Sequence, residues 1–113
     1  MVLAAGRRLF DYRVSFDSTL RGRDMRTPSG NFCNRYRADY VQNRAATPYI
    51  LVTLIKNRAL RPDVRLETHR FSNNGKVHSF CWPHHDGSAT YHFEYRVPNV
   101  GYDVKGHGTV YRR

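Results

Sequence analysis

The sequence predicts an α+β domain, with about six strands in a mainly antiparallel sheet and one helix packed on its aromatic face. Three observations lead there. Strand-length runs alternate apolar and polar residues, most clearly at 8–16 and 91–97, which is the period-two mark of a half-buried strand. Asn74-Gly75 and Asp86-Gly87 are dipeptides that accept the positive φ values of tight hairpin turns. Residues 31–46 set Phe32, Tyr36 and Tyr40 four apart, a spacing that fits one face of a helix. The 113 residues read as one domain, because a chain of this size buries a single modest core.

Taken in order, Phe10, Tyr12, Val14 and Phe16 alternate with Asp11, Arg13 and Ser15 and define the first strand. Residues 17–30 are rich in turn formers and carry Arg21, Arg23 and Arg26, so they read as a long exposed loop able to act as a phosphate-binding arm. The helix of 31–46 takes Ser29 or Asn31 as its cap and stops at Thr47-Pro48. Arg35, Arg37 and Arg44 form its outward rim, with Cys33 and Val41 beside the aromatic stripe. Residues 49–56, YILVTLIK, are a continuous apolar run and predict a central strand covered on both faces. A loop at 57–63, a strand at 64–71 and a turn at 72–75 lead into two strands within 76–97, folded over Asp86-Gly87. A turn at 98–101 precedes a final short strand within 102–113, broken at Lys105-Gly106-His107-Gly108.

Two-residue turns would fix the register of these hairpins. Phe71 then faces His78, His69 faces Phe80 and Glu67 faces Trp82, while Trp82, Phe80 and His78 face Tyr91, Phe93 and Tyr95. One side of the sheet is therefore aromatic. The other carries Thr68, Arg70, Ser79, Cys81, His92, Glu94 and Arg96.

The formal charge is +10, and the 19 basic residues are nearly all arginine. A guanidinium grips phosphate through two parallel hydrogen bonds and stacks on bases. The charge and the arginine bias point to nucleic acid as partner, RNA favoured over DNA, while an aromatic content of 13% argues for a folded chain. Arg21, Arg23, Arg26, Arg35, Arg37, Arg70, Arg112 and Arg113 are the candidate contacts.

Cys33 and Cys81 read as free thiols in preference to a bridge, since one bridge is sparse for a secreted domain. The opening MVLAAGRRLF has too short an apolar run for a signal peptide, and its charges follow the run. No stretch reaches the ~20 apolar residues of a membrane span. The expectation is a soluble protein, intracellular or within a virion, that contacts no membrane.

His92, Glu94 and Arg96 stand two apart on one strand and emerge from one face. A histidine and a carboxylate flanking a phosphate, with arginine beside them, supply the base, acid and charge neutralisation of metal-independent RNA cleavage. The string Tyr91-His92-Phe93-Glu94-Tyr95-Arg96-Val97 resembles the catalytic-glutamate strand of the small microbial guanyl-type ribonucleases. The likeness covers under ten residues, with an extra Phe93 between His92 and Glu94. The resemblance implies a helix followed by an antiparallel sheet, and a second histidine on the terminal strand, for which His107 is the candidate. His78, Cys81, His84 and His85 are residue types that zinc accepts, with His92 and Cys33 as additions. However, His78 and Cys81 fall on opposite faces of a strand, so no metal or cofactor is expected.

Three functions remain in contention. The first is a non-catalytic RNA-binding component of a ribonucleoprotein or virion. The second is a metal-independent, toxin-like endoribonuclease, and the third is a structural subunit that self-assembles.

Overall fold

The computed structural model describes residues 7–27, 30–83 and 86–113. These residues contain eight strands and no helix. They are β1 (Arg7–Phe16), β2 (Thr19–Arg21), β3 (Phe32–Val41), β4 (Tyr49–Lys56), β5 (Val64–Ser72), β6 (His78–Trp82), β7 (Tyr91–Arg96) and β8 (Val104–Arg112). All pairings are antiparallel. The first sheet has the order β1-β8-β3-β6 and the second β2-β7-β4-β5. This is the connectivity of an eight-stranded jelly roll, two Greek keys wrapped into facing sheets.

The α+β expectation is thereby overturned, and the predicted helix is where it fails. Residues spaced four apart satisfy a period of two as well as a period near 3.6, so Phe32, Tyr36 and Tyr40 could not separate the alternatives. In β3 the alternation runs Phe32, Asn34, Tyr36, Ala38 inward and Arg35, Arg37, Asp39 outward, with the inward set buried and the outward set exposed. Asn34 breaks the apolar pattern yet is fully buried. The Tyr12 hydroxyl donates to Asn34 Oδ1 at 2.6 Å, and Asn34 Nδ2 donates to the Tyr95 hydroxyl at 3.0 Å. This polar link ties both sheets together through the core, and such a group must be paired because an orphan there costs about 1–3 kcal/mol. Burial raises the Tyr12 phenol well above its ordinary range and lifts Tyr95 as well, to about 12.

The loop predicted at 17–30 holds β2 and a further bridge from Met25 to Tyr91, elements too short to leave a periodic trace. The final strand is continuous through its Lys-Gly-His-Gly stretch. A Cβ at Gly106 would run into the Tyr36 ring, and one at Gly108 into the Tyr12 ring and the Arg35 carbonyl. These glycines therefore make room for two tyrosines to cross β8.

The predicted hairpin register is also corrected. β5 pairs with β4, β6 with β3 and β7 with β4 and β2, so β5, β6 and β7 do not lie side by side. The alternation itself holds. Phe71, Trp82, Tyr91, Phe93 and Tyr95 are buried in the core between the sheets. His69 stacks on Phe80 at 4.1 Å and Trp82 meets Phe93 at 5.0 Å. These contacts span the interior between two sheets instead of running along one ladder.

Cys33 and Cys81 are cross-strand partners on β3 and β6 and form a disulfide, which corrects the free-thiol expectation. Forty-eight residues separate them, and only the tertiary pairing brings them together. No helix of the described residues is long and apolar enough to cross a membrane.

Candidate nucleic-acid interface

A sandwich has two outer faces, and the strands assign each candidate residue to one of them. On the first sheet, Arg13 of β1 and Arg37 of β3 both pair with His107 of β8, forming one rung. The next rung holds Asp11, Thr109, Arg35 and Ser79, and Lys105 lies opposite Ser15 and Tyr40. Neighbouring strands run ~4.8 Å apart, so Arg13 and Arg37 flank His107 across about 10 Å.

The two carboxylates of this face are engaged by other groups. Asp11 accepts from Arg8 at 3.0 Å and from the Thr109 hydroxyl at 2.7 Å. Asp39 lies 2.7 Å from His107 Nδ1. Arg35 lies over the Tyr111 ring at 5.4 Å and Lys105 over Tyr40 at 5.8 Å. Among the described residues, Arg13, Arg35, Arg37 and Lys105 have no carboxylate partner. Cation–aromatic contacts order such side chains without cancelling their charge.

The outer face of the second sheet carries His92, Glu94 and Arg96 of β7. Glu94 stands in a rung with Arg21, Thr53 and Thr68, and Arg96 in a rung with Thr19, Leu51 and Arg70. Arg65 donates to both oxygens of Glu94, at 3.2 and 2.5 Å, and Arg96 Nε lies 3.4 Å from it. The Arg65 hydrogen bond is the main cause holding the Glu94 carboxyl below its usual range. His92 Nδ1 contacts Asn57 Oδ1 at 2.6 Å, and its side chain is only 5% exposed. Burial, reinforced by Arg21, lowers its pKa, so His92 is neutral near pH 7.

The fold thus brings His92, Glu94 and Arg96 to one face, with Arg70 and Arg21 on it too. It sends His107 to the opposite side of the sandwich. Cys81 is in the disulfide and holds no thiolate for zinc, and half-exposed His78 contacts Asn74 Oδ1 at 2.9 Å. His84 and His85 lie outside the described residues. Among the described residues, no group of three His, Cys, Asp or Glu side chains is placed to hold a metal.

The predicted arginine contacts are scattered. Arg35 and Arg37 are on the first face and Arg70 is on the second, over Tyr49 at 4.4 Å. Arg21 pairs with Asp24 at 2.8 Å, Arg23 lies over Phe10 at 4.6 Å, and Arg26 is exposed in the connection to β3. Arg112 ends β8, and Arg113 exchanges backbone hydrogen bonds with Asn31 at 2.9 Å. Sequence reasoning missed Arg13 and Lys105. Both occupy outward positions of alternating strands, a signal that was present, but the adjacency of β1, β8 and β3 was not. Comparison with protein-family models, curated proteins and solved structures finds no match to this chain.

Proposed function

We propose that this chain is a non-catalytic nucleic-acid-binding protein, RNA favoured over DNA, that works as a component of a ribonucleoprotein or virion assembly. One observation carries the reading: Arg13, Arg35, Arg37 and Lys105 share a face with carboxylates that are already engaged elsewhere. Unneutralised cations on an open sheet face attract a polyanion and release its counterions on binding. Jelly rolls serve viral capsid, lectin and cupin domains alike, so the fold does not choose among functions. The disulfide favours an oxidising setting, such as a virion or cell exterior, over the cytosol.

The ribonuclease reading is the weaker one. Its histidine is closed off by burial, its glutamate is clamped by two arginines, and its second histidine is on the far side of the molecule. The deciding measurement is fluorescence anisotropy with labelled single-stranded RNA in EDTA at rising salt, with the RNA then run on a denaturing gel. Affinity falling steeply between ~50 and ~200 mM salt, with intact RNA, is the expected result. Affinity indifferent to salt ends the proposal, and shortened RNA that Glu94→Gln protects would install the enzyme in its place.

A further inference from the structure

We infer that the cleft between β1 and β2 binds one unstacked nucleobase together with its phosphate, a nucleoside monophosphate unit of a single strand. The inference builds on the nucleic-acid reading by adding a second, distinct site. β1 and β2 are edge strands of the two sheets, and between them lies a cleft of about 340 Å³. That is within the range of small-ligand sites, which begin near ~300 Å³. Half-buried Phe10, Tyr12 and Leu20 line it together with the buried rings of Phe93 and Tyr95. Gly22 donates its backbone N–H to the Phe93 carbonyl at 2.7 Å, and a Cβ there would stand 2.9 Å from that oxygen. The glycine lets the chain after β2 lie close against β7.

Arg13, Arg21 and Arg23 also line the cleft. Arg21 is partnered by Asp24, whereas Arg13 and Arg23 have no carboxylate among the described residues. Asp11, the acid in the lining, already takes Arg8 and Thr109. Arg23 is held over the Phe10 ring, so a cation and an aromatic surface are presented together. An aliphatic anion would leave the rings unused, and a neutral planar molecule would leave the arginines unused. A base with its phosphate uses both.

The site also has an expected specificity. The hydroxyls of Tyr12 and Tyr95 are joined through Asn34 and Tyr95 is only 3% exposed, so the accessible ring surface is that of Phe10 and Tyr12. Stacking of that kind accepts any base. Arg13 borders both the cleft and the cationic face of the first sheet, so a strand with one base in the cleft would continue its phosphates onto that face.

The test is calorimetric titration of the full chain at low salt with AMP, GMP, CMP, inorganic phosphate and adenosine. Single-stranded and duplex RNA of equal length are then compared. AMP is expected to bind at least about tenfold tighter than phosphate or adenosine, a factor typical of one stacked base, with the three nucleotides within about threefold of one another. Leu20→Trp, which fills the cleft, is expected to abolish AMP binding and weaken single-stranded RNA about tenfold while leaving duplex RNA unchanged. If that variant does not fold, Arg23→Ala, an exposed change, is expected to weaken AMP several-fold. AMP held no tighter than phosphate, or held equally by wild type and both variants, overturns the inference. Salt-sensitive duplex binding without AMP binding removes the cleft and keeps the polyanion face. AMP binding with neither RNA bound keeps the cleft and removes the face.

Discussion

On the outer face of the second sheet, Glu94 takes Arg65 and Arg96, and Asp24 at its edge takes Arg21. On the outer face of the first, Asp11 and Asp39 are engaged by Arg8, Thr109 and His107, leaving Arg13, Arg35, Arg37 and Lys105 uncompensated. Both faces are rich in arginine, yet among the described strand residues only Arg70 lacks a carboxylate on the second, whereas four cations lack one on the first. The placement of a few carboxylates makes that difference. On the proposed reading, a polyanion drawn by the net charge of +10 would settle where the acids leave cations unpaired.

The largest effect concerns what holds the strands of the open face together. The disulfide joins two of its strands across 48 residues of sequence, and closing a loop of that length stabilises by about 4 kcal/mol in the chain-entropy account. Replacing both cysteines by serine should lower unfolding free energy by about that amount in a urea titration. An unchanged midpoint would mean that the first sheet needs no staple.

The next effect separates the faces directly. Arg13→Ala, Arg35→Ala and Arg37→Ala combined should reduce the slope of log affinity against log salt by about 2 for single-stranded RNA, at ~0.7 per phosphate contact. Arg65→Ala, Arg70→Ala and Arg96→Ala combined should reduce it by less than ~1, since two of these already face Glu94. Equal losses from the two triples would erase the distinction.

A smaller effect should follow from freeing the paired arginines of the second face. Glu94→Gln frees Arg65 and Arg96, so RNA affinity should rise while stability at pH 7 falls by roughly 1 kcal/mol, a modest figure because Arg65 is half exposed. The Glu94 pKa is lowered on folding, so its contribution is present above the unfolded carboxyl value and is lost as pH falls through the folded one. Wild type and variant should therefore converge in acid, as read by thermal melts. A gap that persists there would assign the loss to packing.

The smallest effect lies in the neighbouring rung. Folding lowers the His92 pKa, chiefly through burial. The stability this gives is complete above the ordinary value near 6.5 and declines as pH drops toward the folded one. Wild type should lose stability below pH ~6.5 more steeply than His92→Gln. Parallel curves would show that His92 is not held neutral by the fold.

Much of the strand content was legible. Period-two runs marked β1, β5, β6 and β7, and a continuous apolar run marked β4, close to their observed limits, because both patterns are properties of consecutive residues. Which side chains of β5, β6 and β7 turn inward was legible for the same reason. The candidate site was legible in part: His92, Glu94 and Arg96 share a face as alternation requires, whereas Arg35 and Arg37 were expected on a helix rim and share a strand face instead. β3 was not legible, because an aromatic at every fourth position and a buried Asn34 blur the two periods. Arg13 and Lys105 were passed over because nothing local says that residues 13, 37 and 105 will meet.

By itself the sequence determined the sign of the charge, the aromatic interior and the inward or outward sense of most strands, since these follow from composition and nearest-neighbour geometry. Only the tertiary structure decided that β5, β6 and β7 part between two sheets, that Cys33 reaches Cys81, and that β1, β8 and β3 lie side by side. Those choices depend on contacts between distant segments, where the shared burial of Phe32, Tyr36, Trp82 and Phe93 outweighs the simpler hairpins that the turns alone would favour. The open cationic face and the cleft beside it exist only once that choice is made.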